Sequence, residues 1–270
     1  MGSVTWLKRS GVALAIVSLS TLAAPTLRAQ FGIAPPGPPA NPKASAPEDL
    51  TGYWVSIVTE DWRYRMMTPN KGDYPGIILT PEGQRIAQSW DPAKDEAAGQ
   101  QCKSYGAAAI MRVPERLHIT WDDDTTLRVE TDAGKQVRLF HFNAPEPPKG
   151  EAPSLQGYSA ASWEGLKPRG FGLPTVASGG APKPREEGYL KVITKNLAPG
   201  YIRKNGVPYG SNATVEEYLD SFKEPNGDEW LVVTVIVTDP QYLAQSYLTS
   251  SQFKKLSDAS GWNPTPCEAK

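Results

Sequence analysis

With 270 residues, 39% hydrophobic and 21% charged, the chain has the composition of a globular protein large enough for one substantial core. Its 28 lysines and arginines nearly balance 29 aspartates and glutamates, for a formal charge of −1. That balance excludes the basic footprint of a nucleic-acid binder and favours small or neutral partners.

Residues 1–29 place Lys8 and Arg9 ahead of an apolar run, Gly11 to Ala24, and end on Ala29 before Gln30. This is the layout of a secretory signal peptide cleaved after Ala29, so a periplasmic or secreted location is expected. The run is shorter than the roughly 20 apolar residues of a spanning helix. No later segment replaces it, and the first cysteine, Cys102, is too distant to carry a lipid at the cleavage site, so no membrane anchor is expected. Cleavage removes Lys8, Arg9 and Arg28 but no acid, which moves the formal charge to −4.

Residues 30–48, "QFGIAPPGPPANPKASAPE", are proline-rich and aperiodic, and read as an extended tether. The chain from Asp49 to Lys270 has about 220 residues, a length that suits a single all-β domain. It opens with "DLTGYWVSIVTEDWRYRMM" (49–67). If this stretch stays extended past Thr59, one face carries Trp54, Ser56, Val58, Glu60, Trp62, Tyr64 and Met66, and the other becomes charged. The first face is then expected to point inward.

Next come the helical signals. Thr80 is an N-cap candidate followed by Pro81 at the first helical position and Glu82 in the first turn; Gly83 rules out a capping box. A second short helix is expected within 92–102. Strand-like alternation then recurs at 116–121, 126–131, 136–142, 155–165, 188–196, 213–222, 229–240 and 243–253. Asn226-Gly227 supplies a strong hairpin signal between two of these. Segments 166–186 and 197–212 resist strand assignment; the first reads as a loop or insertion, and the second offers Tyr201, Arg203, Lys204 and Tyr209 to a ligand. About nine strands with one or two short helices predict an antiparallel up-and-down barrel, because closure removes exposed edges. A two-sheet sandwich is the alternative.

Cys102 and Cys267 are the only cysteines. Export would oxidise them to a disulfide, the alternative being two buried thiols. Two cysteines and two histidines far apart show no metal-ligand spacing, and none is expected to hold a metal. Asp122-Asp123-Asp124 reads as a solvated hairpin tip rather than a calcium loop. His118 is expected to face outward and His141 to be structural.

The "LTGYW" opening resembles the G-x-W start of lipocalins and other calycins, whose barrels hold ligands. The longer series Asp91-Pro92 before Cys102, Gly157-Tyr158-Ser159 with Trp163-Glu164-Gly165, Pro208-Tyr209, Asp239-Pro240 and Cys267 resembles a group of exported bacterial proteins of unassigned function. That group has histidine where this chain has Tyr158 and Tyr209, so a histidine-based role is not carried over. The resemblance implies export and a lipocalin-like barrel.

A small, partly apolar or aromatic ligand inside the barrel is the leading expectation. Trp54, Trp62, Tyr64, Met66, Trp121 and Trp163 would line its cavity, with Tyr201 and Arg203 on a covering loop. The alternative is a cofactor-independent lyase, isomerase or hydrolase. In it, Glu60, raised in pKa by aromatic neighbours, would be the acid or base, and Tyr64, Tyr158 or Tyr209 a second proton donor. No G-x-S-x-G, H-E-x-x-H or phosphate-loop motif is present.

Overall fold

Alternating apolar residues give each strand one buried face, and a sheet of such strands can hide those faces by curling until its edges meet. The computed structural model describes residues 41–165 and 188–270 and, of the first forty, Gly2 alone. The signal-peptide segment, most of the tether and the 166–186 loop therefore lie outside the described residues. In chain order the strands are β1 (Gly52–Ile57), β2 (Arg116–Trp121), β3 (Thr126–Thr131), β4 (Val137–Phe142), β5 (Tyr158–Gly165) and β6 (Gly188–Lys195). They continue as β7 (Gly200–Arg203), β8 (Val207–Tyr209), β9 (Thr214–Lys223), β10 (Glu229–Thr238) and β11 (Tyr247–Leu256). Nine of them close into a barrel in the order β1-β11-β10-β9-β6-β5-β4-β3-β2, and β7 and β8 form a separate hairpin. The closed ring excludes the sandwich.

One seam departs from the antiparallel expectation. β4 and β5 run parallel, with Phe140 opposite Ser159. A ring of nine cannot alternate direction at every seam, so at least one neighbouring pair must be parallel. Residues 143–157 consequently run the length of the barrel between these two strands.

The register defines two ends. Ile57, Arg116, Thr131, Val137, Tyr158, Lys195, Thr214, Thr238 and Tyr247 mark the upper end, and Gly52, Trp121, Phe142, Gly188 and Leu256 the lower. Below its upper rim the interior is solid: Trp54, Leu117, Ile119, Leu127, Phe140, Leu190, Leu219, Leu231 and Phe253 are fully buried. Residues 41–50, expected to belong mostly to a tether, pack across the lower end. The Trp54 indole donates to the Leu50 carbonyl at 2.9 Å and the Trp163 indole to Pro42 at 2.8 Å. Ser221 donates its backbone N–H to Glu48 at 2.6 Å.

The upper end carries the remaining elements. The opening stretch does not stay extended: Asp61 adopts a left-handed conformation (φ 50°) and the chain turns into a short helix, α1 (Trp62–Arg65). The expected inward face from Trp54 to Met66 is therefore broken after β1, and Trp62 and Met66 stand 63% and 60% exposed. α1 instead turns Arg65 inward, where it gains partners that an extended strand would not supply. α2 (Pro81–Ser89) and α3 (Pro92–Ala97) start where their caps predict: Thr80 Oγ1 accepts from Gly83 and an Asp91 carboxylate oxygen accepts from Ala93. The 197–212 segment, expected as a loop, forms β7–β8. Its turn needs Gly206 at φ +83°, where a Cβ would lie 2.2 Å from the Trp90 Cβ.

Cys102 and Cys267 form a disulfide, with Cα atoms 5.1 Å apart across a sequence separation of 165. It ties the C-terminal tail to the 3-10 turn at Gln101–Tyr105. Closing so long a loop removes much chain entropy from the unfolded state. Reduction, or Cys102→Ser with Cys267→Ser, is expected to lower unfolding free energy by about 2–5 kcal/mol. Urea titration with and without reductant reads this directly, and coincident curves would show that the bridge contributes nothing.

Candidate functional site

Fully buried side chains fill the barrel interior around Trp54, and the clefts among the described residues lie at the upper end. There the inward positions change from apolar to charged. Arg138 and Glu217, both fully buried, form a bidentate ion pair at 2.7 and 2.5 Å. Arg138 also donates to Thr194 Oγ1 at 3.2 Å and lies 4.9 Å from the Phe140 ring centroid. Thr194 in turn shares a 2.8 Å hydrogen bond with Ser159. Pairing of this kind offsets the large cost of desolvating two charges.

Glu115, one residue before β2, also points into this layer and is 5% exposed. Neither carboxyl oxygen has a hydrogen-bond partner of good geometry among the described residues, although the Thr131 side chain is near enough to lower its pKa slightly. Burial, reinforced by the negative charge of Asp132, holds its pKa well above the ordinary carboxylate range, against the opposing pull of Arg138 and Arg65. Glu115, rather than Glu60, is thus the desolvated carboxyl of this region, and burial pushes its pKa upward.

Above the layer, three guanidinium groups converge. Arg65 from α1 donates to Ser56 Oγ at 2.9 Å and to the Arg112 carbonyl at 2.9 Å, and its Nη1 pairs with Glu60. Arg112 Nη1 donates to Thr249 at 2.8 Å and to Asp61 at 3.2 Å, while its Nη2 has no partner. Arg203, at the end of β7, has no carboxylate or hydrogen-bond partner for its side chain among the described residues. Its guanidinium lies 5.4 Å from the Tyr64 ring centroid and 5.6 Å from that of Tyr247, and Arg112 lies 5.9 Å from the same Tyr247 ring.

These side chains line a narrow cleft with Ser104, Ala109, Val113, Pro114, Ile202 and Lys204. It has about 340 Å³ of space including its mouth. A broader cleft, with about 810 Å³ of space including its mouth, lies beside the disulfide, lined by Gly99, Gln100, Cys102, Lys103, Leu155, Ala198 and Pro199. Its one cation, Lys103, is already paired with Asp95 at 2.9 Å. The arginine cleft is the better candidate because its charges converge without full compensation.

Of the residues singled out by sequence, the cleft brings together Tyr64, Arg203, Lys204 and, beside it, Glu60, whose carboxylate is engaged by Arg65 and by Thr59 Oγ1 at 2.7 Å. The others are dispersed. Trp54 is in the core, and Trp121 and Trp163 flank Phe142 at 5.5 Å each near the lower end. Trp62 and Met66 face outward. Tyr158 donates to the Ala144 carbonyl at 2.9 Å and stacks on His141 at 4.8 Å. Tyr201 donates to Asp95 at 2.8 Å, and that bond together with burial raises its phenol pKa. Tyr209 is buried against Gly106 and Gly200, where either Cβ would clash with its hydroxyl.

Sequence reasoning missed Arg65, Arg112, Glu115, Arg138 and Glu217. Parity was the available signal for three of them. Glu115 shares the inward face of Leu117 and Ile119, Arg138 that of Phe140, and Glu217 that of Val215 and Leu219. Asp122-Asp123-Asp124 is engaged by Arg128, Thr125 and Asn41, and the described residues contain no group of three or more metal-binding side chains. The chain matches no protein-family model, no curated protein and no solved structure.

The raised pKa of Glu115 makes stability fall with rising pH. The unfolded carboxyl releases its proton near 4.5, whereas the folded one keeps it to higher pH. The contribution is therefore complete below that value and is lost as pH climbs through the folded pKa. Glu115→Gln, neutral at every pH, should show a flatter Tm profile and should exceed the wild type most at pH 8. Parallel profiles from pH 4 to 8 would show instead that Glu115 is ionised in the fold.

Proposed function

We propose that this is an exported, lipocalin-like protein that binds a small, partly aromatic or apolar molecule at the capped mouth of its barrel. Export is supported by the Lys8-Arg9, apolar-run and Ala29 series, together with a disulfide suited to an oxidising compartment. Among the described residues no helix is long and apolar enough to cross a membrane, which accords with the absence of a helical anchor in this reading. The resemblance of "LTGYW" to calycin openings fits a closed barrel in which Trp54 is a core residue.

The observation that carries the reading is the cleft itself, where Tyr64 and three guanidinium groups from α1, the 110–112 turn and β7 meet above a filled barrel. A preformed concavity with a few convergent polar groups is the usual form of a ligand site. The narrow cleft admits one end of a ligand, and the rest would lie along Tyr64 and Pro114. Acid–base chemistry at Glu60 has less support, because its carboxylate is already committed to Arg65.

Thermal unfolding of the full chain purified after export tests the proposal against a panel of small aromatic neutral, cationic and anionic molecules. A ligand present at 100 times its Kd adds about 2.7 kcal/mol to stability. At least one class should raise Tm in the wild type and lose most of that effect in Tyr64→Ala. A panel that leaves the wild type unmoved, with no small molecule copurifying by native mass spectrometry, would refute binding at this mouth.

A further inference from the structure

We infer that the arginine cleft is an anion site, and that the molecule it takes presents a carboxylate or phosphate group to Arg203 and Arg112. This rests on the binding reading above and narrows it to a ligand class. The cleft draws four cationic side chains, Arg65, Arg112, Arg203 and Lys204, against two acids at its rim, Glu60 and Asp61. Glu60 neutralises Arg65, and Asp61, 45% exposed, reaches Arg112. Among the described residues, the charged groups of Arg203 and Lys204 contact aromatic faces alone: Tyr64 and Tyr247 for Arg203, Tyr105 for Lys204.

Arg203 and Arg112 are 5% and 6% exposed. An unpaired cation so far from water is costly, and cation–π contacts return only part of that cost. Among the described residues, Nε and Nη1 of Arg203 and Nη2 of Arg112 are buried without partners, as is the hydroxyl of Tyr247, whose ring lies near both groups. Among the described residues, no carboxylate of the layer below pairs with Arg203 or Arg112. Arg138 is spent on Glu217, and Glu115 is desolvated with no hydrogen bond to either cap arginine. Stacking against Tyr64 and Tyr247 fixes the Arg203 plane, which suits forked recognition of a carboxylate or phosphate. The cleft is narrow, which favours entry of a compact carboxylate or phosphate group over a whole ring.

Calorimetry on the full chain with benzoate, benzamide and inorganic phosphate tests the inference and separates its two anion sources. Benzoate, phosphate or both should bind wild type, and benzamide should not. Arg203→Gln and Arg112→Gln should each weaken the anion that binds at least ~10-fold. Arg128→Gln, at a surface pair with Asp122, should leave binding unchanged. Because Arg203 is uncompensated in the free protein, Arg203→Gln should also keep or raise Tm without ligand, and that Tm should no longer respond to the anion. Equal binding of benzoate and benzamide, or anion binding that survives Arg203→Gln, overturns the anion class while leaving the mouth a ligand site. Failure of both anions to bind, or a large fall in Tm of Arg203→Gln with no anion response in wild type, assigns Arg203 a structural role and overturns the inference.

Discussion

Closing nine strands into one ring is the constraint on which the rest of this structure depends. An odd ring must contain a parallel seam, and a parallel seam needs a connection that returns along the barrel. Residues 143–157 provide it between β4 and β5. The end of that connection then organises the upper cap. The Leu155 carbonyl accepts from Ala107 at 2.9 Å, and Gln156 donates to the Tyr105 carbonyl at 2.7 Å and to Gln136 at 2.9 Å. The disulfide lies in the same region, with Cys102 on the turn that these bonds hold. The segment carrying Ala109 and Arg112 is therefore fixed from two directions before it meets the barrel mouth.

The interior divides by height. Its lower part is apolar and is sealed beneath by Leu50 and the residues before it, so water is excluded from that end. Its upper part holds charge, which is tolerable where each ion has a partner of good geometry or gives up its charge. Arg138 and Glu217 follow the first course, and burial pushes Glu115 toward the second. Among the described residues neither Arg112 nor Arg203 hydrogen-bonds to a carboxylate of this layer.

Most of the fold was legible because its signals are local. Alternation and turn residues placed β2 and β3 at their observed bounds, Thr80 marked the start of α2, the helix expected within 92–102 is α3, and Asn226-Gly227 lies in the turn between β9 and β10, with Gly227 at φ +92°. A count of nine strands already implied the parallel seam. The bend at Asp61 was not legible, since a left-handed residue there is worth its strain only when Arg65 reaches Ser56, Glu60 and the Arg112 carbonyl. The β7–β8 hairpin depends likewise on Trp90 packing against Gly206. Parity could show that Arg138 and Glu217 point inward, but not that residues 79 apart in sequence would neutralise each other. The candidate site was less visible than the fold for the same reason. Tyr64 and Arg203 were singled out separately, and only the folded cap puts one guanidinium between Tyr64 and Tyr247.

A barrel with a hollow centre selects ligands by the shape of its cavity. Here Trp54, Phe140 and Phe253 occupy that centre, and selection moves to side chains held at the rim. Two aromatic rings restrict the Arg203 guanidinium, and Thr249 and Asp61 restrict that of Arg112. Much of the side-chain entropy that binding would otherwise cost is thus lost on folding. The filled core contributes to this rigidity, because the strands that carry Ser56, Tyr247 and Thr249 cannot shift without disturbing close-packed neighbours below. A solid barrel and a preorganised mouth are consequently two aspects of the same packing.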